Sequence, residues 1–433
     1  MSEERQARLP ALLILALGVG MMGAAIALAV RAYMPCPFWD EWAVVNAIAK
    51  GAGVTSWGWL WSEHNEHRLL ATRLLILLDL RVFGGKNVSL FVEMFAAQLV
   101  QLGAIWHVLA RYTDLPRTLK LSIAGVFAFC LFHLNQAENF TWAFQASFVI
   151  AFAIGTLALI GVAYFERWRW PMLVSVAVGI APLAAGLNVA GGLMIGPVVL
   201  VYALRRRLGT RYVVVIAAIF VASVAAYLTN YHVPASHLTP MQALAHPREI
   251  FVYVLTYFGA SWTRLMPHKE RITCLLSFVA LAVMVVKSAK RRAETTAFEW
   301  FCIAECVLMI VVSITTALGR LQYGVGQAFA GRYQTPAMLY WAALCALVLV
   351  QIGRYWPERL RVLEWGVALI LIASAGTCLP IWRAEAARND ALARACDAAM
   401  HRNEDERAAK LLYGGTTRDL EPGVDYLKKV WRE

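Results

Sequence analysis

Apolar segments of about 18–22 residues recur along most of this chain, and they limit what it can fold into. Each is long enough to cross the hydrocarbon core of a bilayer as a helix, which takes about 20 residues. Only 16% of the 433 residues are charged, against about one quarter in soluble domains. The sequence therefore predicts an all-α, polytopic membrane helical bundle. About eleven spans fit, and the region 171–204 is the least regular of them. The spans lie at residues 10–32, 87–109, 118–134, 144–165, 171–187, 189–204, 212–230, 271–286, 297–317, 335–353 and 362–381.

Arginine and lysine are concentrated in every second connection between these spans. Cytoplasmic loops carry such an excess, so we expect a multi-pass protein of the inner (plasma) membrane with a cytoplasmic N-terminus. The chain then divides into a transmembrane module, 1–381, and an external C-terminal tail, 382–433, which is helical to about Leu412 and irregular beyond Gly414. The basic clusters lie at 5–8, 111–120, 167–169, 205–211, 287–292 and 354–361. The predicted external segments are 34–85, 133–143, 231–270, 318–334 and the tail.

The formal net charge of +12 follows from this topology, because the basic side chains lie beside anionic lipid headgroups. The sequence has no basic stripe on a soluble face of the kind that binds DNA, so the expected partner is the lipid bilayer and not nucleic acid. Among the cysteines, only Cys36 and Cys396 lie clearly in external segments. An oxidising compartment allows a disulfide between them, although their separation in sequence is weak evidence for that pair.

The first external loop, 34–85, contains most of the polar material of the transmembrane module. Two stretches, 40–50 and 67–83, have apolar residues on one side at helical spacing, and such amphipathic helices lie in the membrane surface. The alternative is that 67–83 is a twelfth span. Four charges within it oppose that alternative, since each costs about 2.5–3.5 kcal/mol at mid-bilayer.

The pair Asp40-Glu41 directly follows the first span, between Trp39 and Trp42. Adjacent side chains on a helix point about 100° apart, so we expect only one of the two to face a given cavity. A carboxylate at the external membrane surface is suited to general-base catalysis, with a pKa adjusted by its surroundings. The alternative is that the pair caps a surface helix, since acidic residues favour the first turn.

Three further polar groups are candidate binding residues. In the first loop, His64, Glu66, His67 and Arg68 suit a wall that recognises a sugar or phosphate; a divalent metal is the alternative, although the spacing is not that of a zinc-binding helix. A second group consists of Glu138, Asn139 and Gln145, an acid and two amides that are interleaved with aromatic rings. Such a group suits a carbohydrate ligand; the alternative is that it belongs to an aromatic belt at the membrane interface. The third group consists of the external arginines Arg264, Arg320 and Arg332. Arginine side chains match phosphate oxygens, although contact with lipid headgroups would also explain each one.

These features together resemble the GT-C superfamily of integral-membrane glycosyltransferases, which use polyprenyl-phosphate-linked sugars. The similarity rests on the many spans, the long first external loop, the stretch from Pro37 to Trp42 with its Asp-Glu pair, and Gly331-Arg332-Tyr333 before a late span. It implies a polyprenyl-phosphate-sugar donor and transfer, with inversion, to a hydroxyl of a cell-envelope glycan or lipid. It also implies Asp40 as general base, a lesser role for Glu41, phosphate contacts from the three arginines, and Tyr333 in the binding site. No cofactor is implied.

Three other functions fit parts of the sequence. A transporter or flippase of lipid-linked saccharides would place ionisable groups near mid-membrane, whereas most of those here are external. An O-antigen ligase or polymerase would be expected to hold its key residues in a late external loop. A non-catalytic assembly subunit would explain the apolar spans but not the external acids and histidines.

Overall fold

The computed structural model describes residues 3–51, 53, 56–232, 238–401 and 405–431, so parts of the predicted external segments, including 233–237, lie outside the described residues. The all-α prediction is confirmed: within these ranges, helices make up nearly all of the regular structure, with one two-stranded hairpin. The hairpin strands are β1 (Glu63–His64) and β2 (His67–Arg68). The helices are α1 (Glu3–Arg31), α2 (Asp40–Ala49), α3 (Trp57–Trp61), α4 (Leu70–Phe83), α5 (Val88–Tyr112), α6 (Arg117–Leu131), α7 (Ala137–Thr141), α8 (Ala146–Ala163), α9 (Pro171–Gly186), α10 (Ile195–Arg205), α11 (Thr210–Leu228), α12 (Pro240–Leu244), α13 (Pro247–Gly259), α14 (Glu270–Lys290), α15 (Ala297–Arg320), α16 (Gln334–Tyr355), α17 (Pro357–Gly376), α18 (Cys378–His401), α19 (Glu406–Tyr413) and α20 (Thr417–Val430).

Eleven of these helices correspond to the predicted spans. Among the described residues, nine are long and apolar enough to cross a membrane, and the apolar helices at Pro171–Gly186 and Ala190–Arg205 are shorter. The short pair is the region where prolines and glycines interrupt the apolar pattern. A chain with so many apolar helices is a multi-pass membrane protein. Segment 67–83 is not among the candidate spans.

The interior of the bundle is built around α6, α8 and α16. In the most apolar stretch of each of these helices, about three quarters of the residues are buried inside the protein (78%, 72% and 72%). In α11 and α14 the buried share is 17% and 22%, so these helices lie at the periphery. The backbones of α1 and α6 approach each other closely, since a Cβ on Gly125 would lie 2.7 Å from the Ile14 backbone. Small residues permit such contact between membrane helices, where packing drives association.

Helix α4 places two of its charged residues against the protein and two of its leucines outward. Arg73 and Asp79 are 5% and 1% exposed, whereas Leu74 and Leu78 are nearly half exposed. Arg73 donates to the carbonyls of Trp59, Leu60 and Ser62, and Asp79 accepts the backbone N–H groups of Asn87 and Ser89 at the start of α5. Hydrogen bonding therefore offsets the cost of burying both charges. The outward leucines form the amphipathic face that the sequence predicts.

The C-terminal tail packs on the first loop. A disulfide joins Cys36 to Cys396, and the side chain of Asn46 on α2 bonds the Asp419 carbonyl and the Gly423 N–H at 2.7 and 3.0 Å. A second apolar cluster forms here between α2, α18, α19 and α20. The expectation of irregular structure after Gly414 is wrong, because α20 forms there with a capping box at Thr416 and Asp419.

Candidate active site

Asp40 is the first residue of α2 and follows a residue in an unfavourable conformation. Trp39 has a φ of 49°, a region that residues with a Cβ rarely adopt and that costs about 1–3 kcal/mol. Its N–H donates to the Leu412 carbonyl at 2.7 Å, so the tail helps to hold this conformation. The Asp40 side chain is 37% exposed, and its Oδ1 lies 3.4 Å from Nε2 of His64. The predicted base therefore lies at the protein surface beside a histidine.

Glu41, the other predicted catalytic residue, points into the protein and is 2% exposed. Its carboxylate accepts the N–H groups of Phe38 and Phe144 at 3.0 and 2.8 Å and the side-chain amide of Asn87 at 3.1 Å. Burial raises the pKa of Glu41 to about 8, while the three hydrogen bonds act in the opposite direction. Glu41 thus joins α2 to the segments that begin α5 and α8.

Residues 63–68 form a hairpin, and the surface helix predicted over 67–83 begins at Leu70 as α4. Glu63 pairs with Arg68 and His64 with His67, and Asn65 in the turn has a φ of 53°, which asparagine tolerates in tight hairpin turns. Side chains directly opposite on paired strands are neighbours. The hairpin therefore connects His64, which faces Asp40, to His67 on the second strand.

A central cavity of about 260 Å³ lies beside this hairpin. Five residues predicted to bind substrate line it, namely Glu66, His67, Arg320, Arg332 and Tyr333. Arg320 forms an ion pair with Glu66, although 254 residues separate them in sequence. With one carboxylate and two guanidinium groups, the charged lining is net positive. The other walls are mostly apolar or aromatic and include Phe148, Phe152, Val189, Tyr231, Tyr257 and Val312.

His67 is held as a neutral imidazole at the edge of the central cavity. Its Nδ1 accepts the Ala190 N–H at 3.2 Å, and its Nε2 lies 3.4 Å from Oε1 of Glu66. Burial lowers the pKa of His67 to about 4, and the positive charge of Arg320 acts in the same direction. A neutral ring that accepts at Nδ1 carries its proton on Nε2. His67 therefore presents an N–H toward Glu66.

Arg332 is oriented by Glu138, which accepts the Arg332 backbone N–H at 3.0 Å and the side-chain Nη1 at 3.2 Å. Asn139 donates to the Arg332 carbonyl at 3.3 Å. Gly331 permits this approach, since a Cβ there would lie 2.8 Å from the Cβ of Glu138. Tyr333 stacks on Tyr257 with ring centroids 5.5 Å apart. Glu138 and Asn139 therefore position a cavity residue and do not line the central cavity.

Three predicted binding residues lie elsewhere. The guanidinium of Arg68 is 3% exposed and donates to the carbonyls of Tyr227, Trp61 and Thr229. Arg264 donates to Asn135 at 3.2 Å and lines a separate cavity. Gln145 is buried, and its Oε1 has no hydrogen-bond partner in the described structure.

Several site residues were missed by the sequence analysis. Asn87 binds Glu41 from the start of α5, and its φ of 62° is one that asparagine adopts more readily than most residues. Ala190 supplies the N–H to His67; the glycines that interrupt 189–204 were the available signal of irregular backbone there. Thr315 and Thr316 line the cavity, but each donates to a carbonyl of its own helix, and threonines in a span carry no distinctive signal.

The described residues include no group of three or more His, Cys, Asp or Glu side chains placed to hold a metal ion. In the hairpin, where a metal was the alternative, His64 and His67 lie on opposite strands and face different partners. The expectation that no metal is needed stays a prediction.

Among solved structures, the chain is similar to ArnT from Cupriavidus metallidurans bound to undecaprenyl phosphate, with a TM-score of 0.48 and 14% sequence identity over 95% of this chain and 75% of that one. A similarity at this level carries no conclusion about activity. No family model matches the chain. No curated protein matches it either.

Proposed function

We propose that this protein is a membrane glycosyltransferase that moves a sugar from a polyprenyl-phosphate donor to an acceptor hydroxyl of a cell-envelope glycan or lipid. One observation carries the proposal: Glu66, His67, Arg320, Arg332 and Tyr333, far apart in sequence, line one cavity beside the loop that presents Asp40. We place the site at the external face, as the distribution of basic residues predicts.

The donor phosphate would bind at the two arginines of the central cavity. Arg320 and Arg332 give the charged lining an excess of positive charge over Glu66, and arginine forks match phosphate oxygens. In a cavity with mostly apolar walls, such preorganised charges stabilise the negative charge that develops on a leaving phosphate. The aromatic walls suit the isoprenoid chain and the C–H faces of a sugar.

Asp40 would act as the general base at the edge of this site. Its carboxylate takes the proton of the acceptor hydroxyl while that oxygen attacks the anomeric carbon of the donor. A new C–O bond forms, and the bond from the anomeric carbon to the phosphate oxygen breaks. The electron pair of the broken bond leaves with polyprenyl phosphate, and attack opposite the leaving group inverts the anomeric configuration. His64, 3.4 Å from Asp40, would orient the carboxylate.

The test is the Asp40→Asn variant in a transfer assay with polyprenyl-phosphate sugars and isolated envelope acceptors. We expect transfer to fall by at least 100-fold, within the range that general-base catalysis contributes. Undecaprenyl phosphate should still bind, because the arginines are unchanged. Asp397→Asn is the matched control, since that carboxylate is 77% exposed on the tail. A fully active Asp40→Asn protein would refute the assigned base.

A transporter of lipid-linked saccharide is the second candidate, because carboxyl groups are buried inside the membrane-spanning part, among them Glu305 and Glu364. Glu305 on α15 is 0% exposed and accepts a 2.7 Å hydrogen bond from Thr156, which in turn accepts from Gln101 at 2.6 Å. Intramembrane ionisable groups often serve transport. The transfer assay separates the two functions, because a transporter forms no new glycosidic bond.

A further inference from the structure

A second cavity with a polar lining, of about 400 Å³, lies beside the turn that carries Gly331. We call it the Arg264 cavity. Glu138 and Gly331 line it, whereas the next two residues of the turn, Arg332 and Tyr333, line the central cavity. Among the described residues, none lines both cavities. A group bound in the Arg264 cavity would therefore occupy a place of its own.

The acidic residues of this lining are already neutralised by arginines. The two carboxylate oxygens of Glu138 both accept from Arg332, and Oε2 of Glu385 lies 3.0 Å from Nη2 of Arg388. The guanidinium of Arg264 bonds an uncharged amide at 3.2 Å and has no acidic partner in the described part of the chain. When these pairs are counted, one positive charge remains at the cavity, that of Arg264.

Three further groups of the lining are hydrogen-bond donors without a partner. Oγ1 of Thr263, Nε2 of Gln334 and Nε of Arg388 are buried, and each lacks a partner in the described structure. Gln334 is only 3% exposed. Buried polar groups are normally hydrogen-bonded, and these three can all donate. A ligand that accepts hydrogen bonds would satisfy them.

The acceptor oxygens of the same lining are largely occupied. Oδ1 of Asn135 accepts from Arg264 at 3.2 Å, and Oε1 of Gln334 accepts from a serine hydroxyl at 2.9 Å. Oε1 of Glu385 is the carboxylate oxygen that remains. A hydroxyl group or a water molecule donates as well as accepts, whereas an ionised carboxylate or phosphodiester only accepts. The surplus of donors, together with the charge of Arg264, therefore favours an oxyanion.

We propose that the Arg264 cavity binds a singly charged oxyanion, a phosphodiester or a carboxylate, separately from the donor phosphate. Arg264 supplies the opposite charge, and hydrogen bonds to a charged group are the stronger ones. The three buried donors bond the remaining oxygen lone pairs. Resting on the proposed function, the oxyanion belongs to the acceptor, which is then an anionic glycan or lipid. A phospholipid headgroup carries the same chemistry, and the experiment distinguishes the two sources.

Modification of arginines by phenylglyoxal, measured residue by residue with mass spectrometry, tests the site in the full protein in phosphatidylcholine nanodiscs. The probes are dimethyl phosphate and acetate, and chloride at equal ionic strength is the control. At least one probe should protect Arg264 saturably, and neither should protect Arg383, which is exposed on α18. Absence of saturable protection of Arg264 with both probes overturns the proposal.

Two further conditions separate this site from the donor and from membrane lipid. Saturating undecaprenyl phosphate should leave the affinity for the probe unchanged; displacement of the probe would show that the cavity is not a separate site and overturns the proposal. In nanodiscs that contain phosphatidylglycerol, Arg264 should react without a probe as fast as in phosphatidylcholine. Protection there would overturn the acceptor as the source and assign the site to a lipid headgroup.

Two variants test the assigned contacts. Thr263→Val removes one buried donor that has no partner, so it should raise the Kd of the probe about fivefold, the effect of one hydrogen bond, without lowering the Tm. Gln334→Glu keeps an oxygen that accepts from the serine hydroxyl but replaces the amide donor by a negative charge, so it should abolish protection. An unchanged Kd in either variant, with an unchanged Tm, overturns the assigned contacts. Asp40→Asn should protect normally, so failure of the transferase proposal appears only in the transfer assay.

Discussion

Replacing Glu41 by glutamine should remove a pH dependence of stability that one buried carboxyl creates. In the folded loop the pKa of Glu41 is raised to about 8, mainly by burial, from an ordinary value of 4.5. The folded state therefore keeps the proton over a pH range in which the opened loop releases it. The stabilisation is complete below pH 4.5 and is lost as the pH rises toward 8.

The size of the effect follows from the interval between these two values. At about 1.36 kcal/mol per pH unit, opening the loop becomes easier by up to roughly 5 kcal/mol between pH 4.5 and pH 8. Glutamine does not titrate, so this dependence should disappear in Glu41→Gln. The amide also presents a donor where Phe38, Phe144 and Asn87 already donate. At low pH the protonated carboxyl already presents a donor of this kind, so Glu41→Gln should then cost less than the about 1–3 kcal/mol of a newly unpaired group.

Hydrogen exchange measured by mass spectrometry is a suitable assay, because it reports local opening. The segments 38–49 and 143–146 should lose protection from pH 5 to pH 8 in the unchanged protein, after correction for the intrinsic exchange rate, and not in Glu41→Gln. Glu358→Gln, at an exposed carboxylate, is the matched control and should behave as the unchanged protein. Equal pH dependence with and without the Glu41 carboxyl would refute the reasoning.

Two further predictions concern the parts that hold the site in place. Maleimide should modify neither Cys36 nor Cys396 in the unfolded, unreduced protein, and Cys36→Ser should lower the free energy of unfolding by roughly 2–4 kcal/mol; labelling of both thiols without reductant would contradict the disulfide. Gly331→Ala should lower transfer and cost about 1–3 kcal/mol, because its Cβ would lie 2.8 Å from Glu138. Gly326→Ala, which meets nothing within 4 Å, is the control, and equal activity of the two variants would show that the close contact does not matter.

The candidate site could be predicted only in part. The residue types were informative: Glu66, His67, Arg320, Arg332 and Tyr333 were all selected from the sequence, and the structure brings them to one cavity. Their roles relative to one another were not predictable. No local pattern indicates that Glu66 pairs with Arg320 or that Ala190 bonds His67, because such contacts depend on how distant helices pack.

The same limit explains the residues that lie elsewhere. Arg68 and Glu41 have the charge expected of binding and catalytic groups, yet hydrogen bonds to backbone and amide groups of other segments hold them inside the protein. The separate cavity lined by Arg264 was missed for a related reason. Arg388 is on the tail and Thr263 follows α13, and only the meeting of these segments with α16 makes a cavity of them.

By itself, the sequence determined the helical spans and the amphipathic helices of the first loop, because apolar length and helical spacing act within one segment and a bilayer imposes them. Only the tertiary structure decided that residues 63–68 form a hairpin, that α20 folds against α2, and which charged residues face a cavity. Those outcomes depend on contacts between segments far apart in the chain, where burial and hydrogen-bond partners are set by packing and not by local pattern.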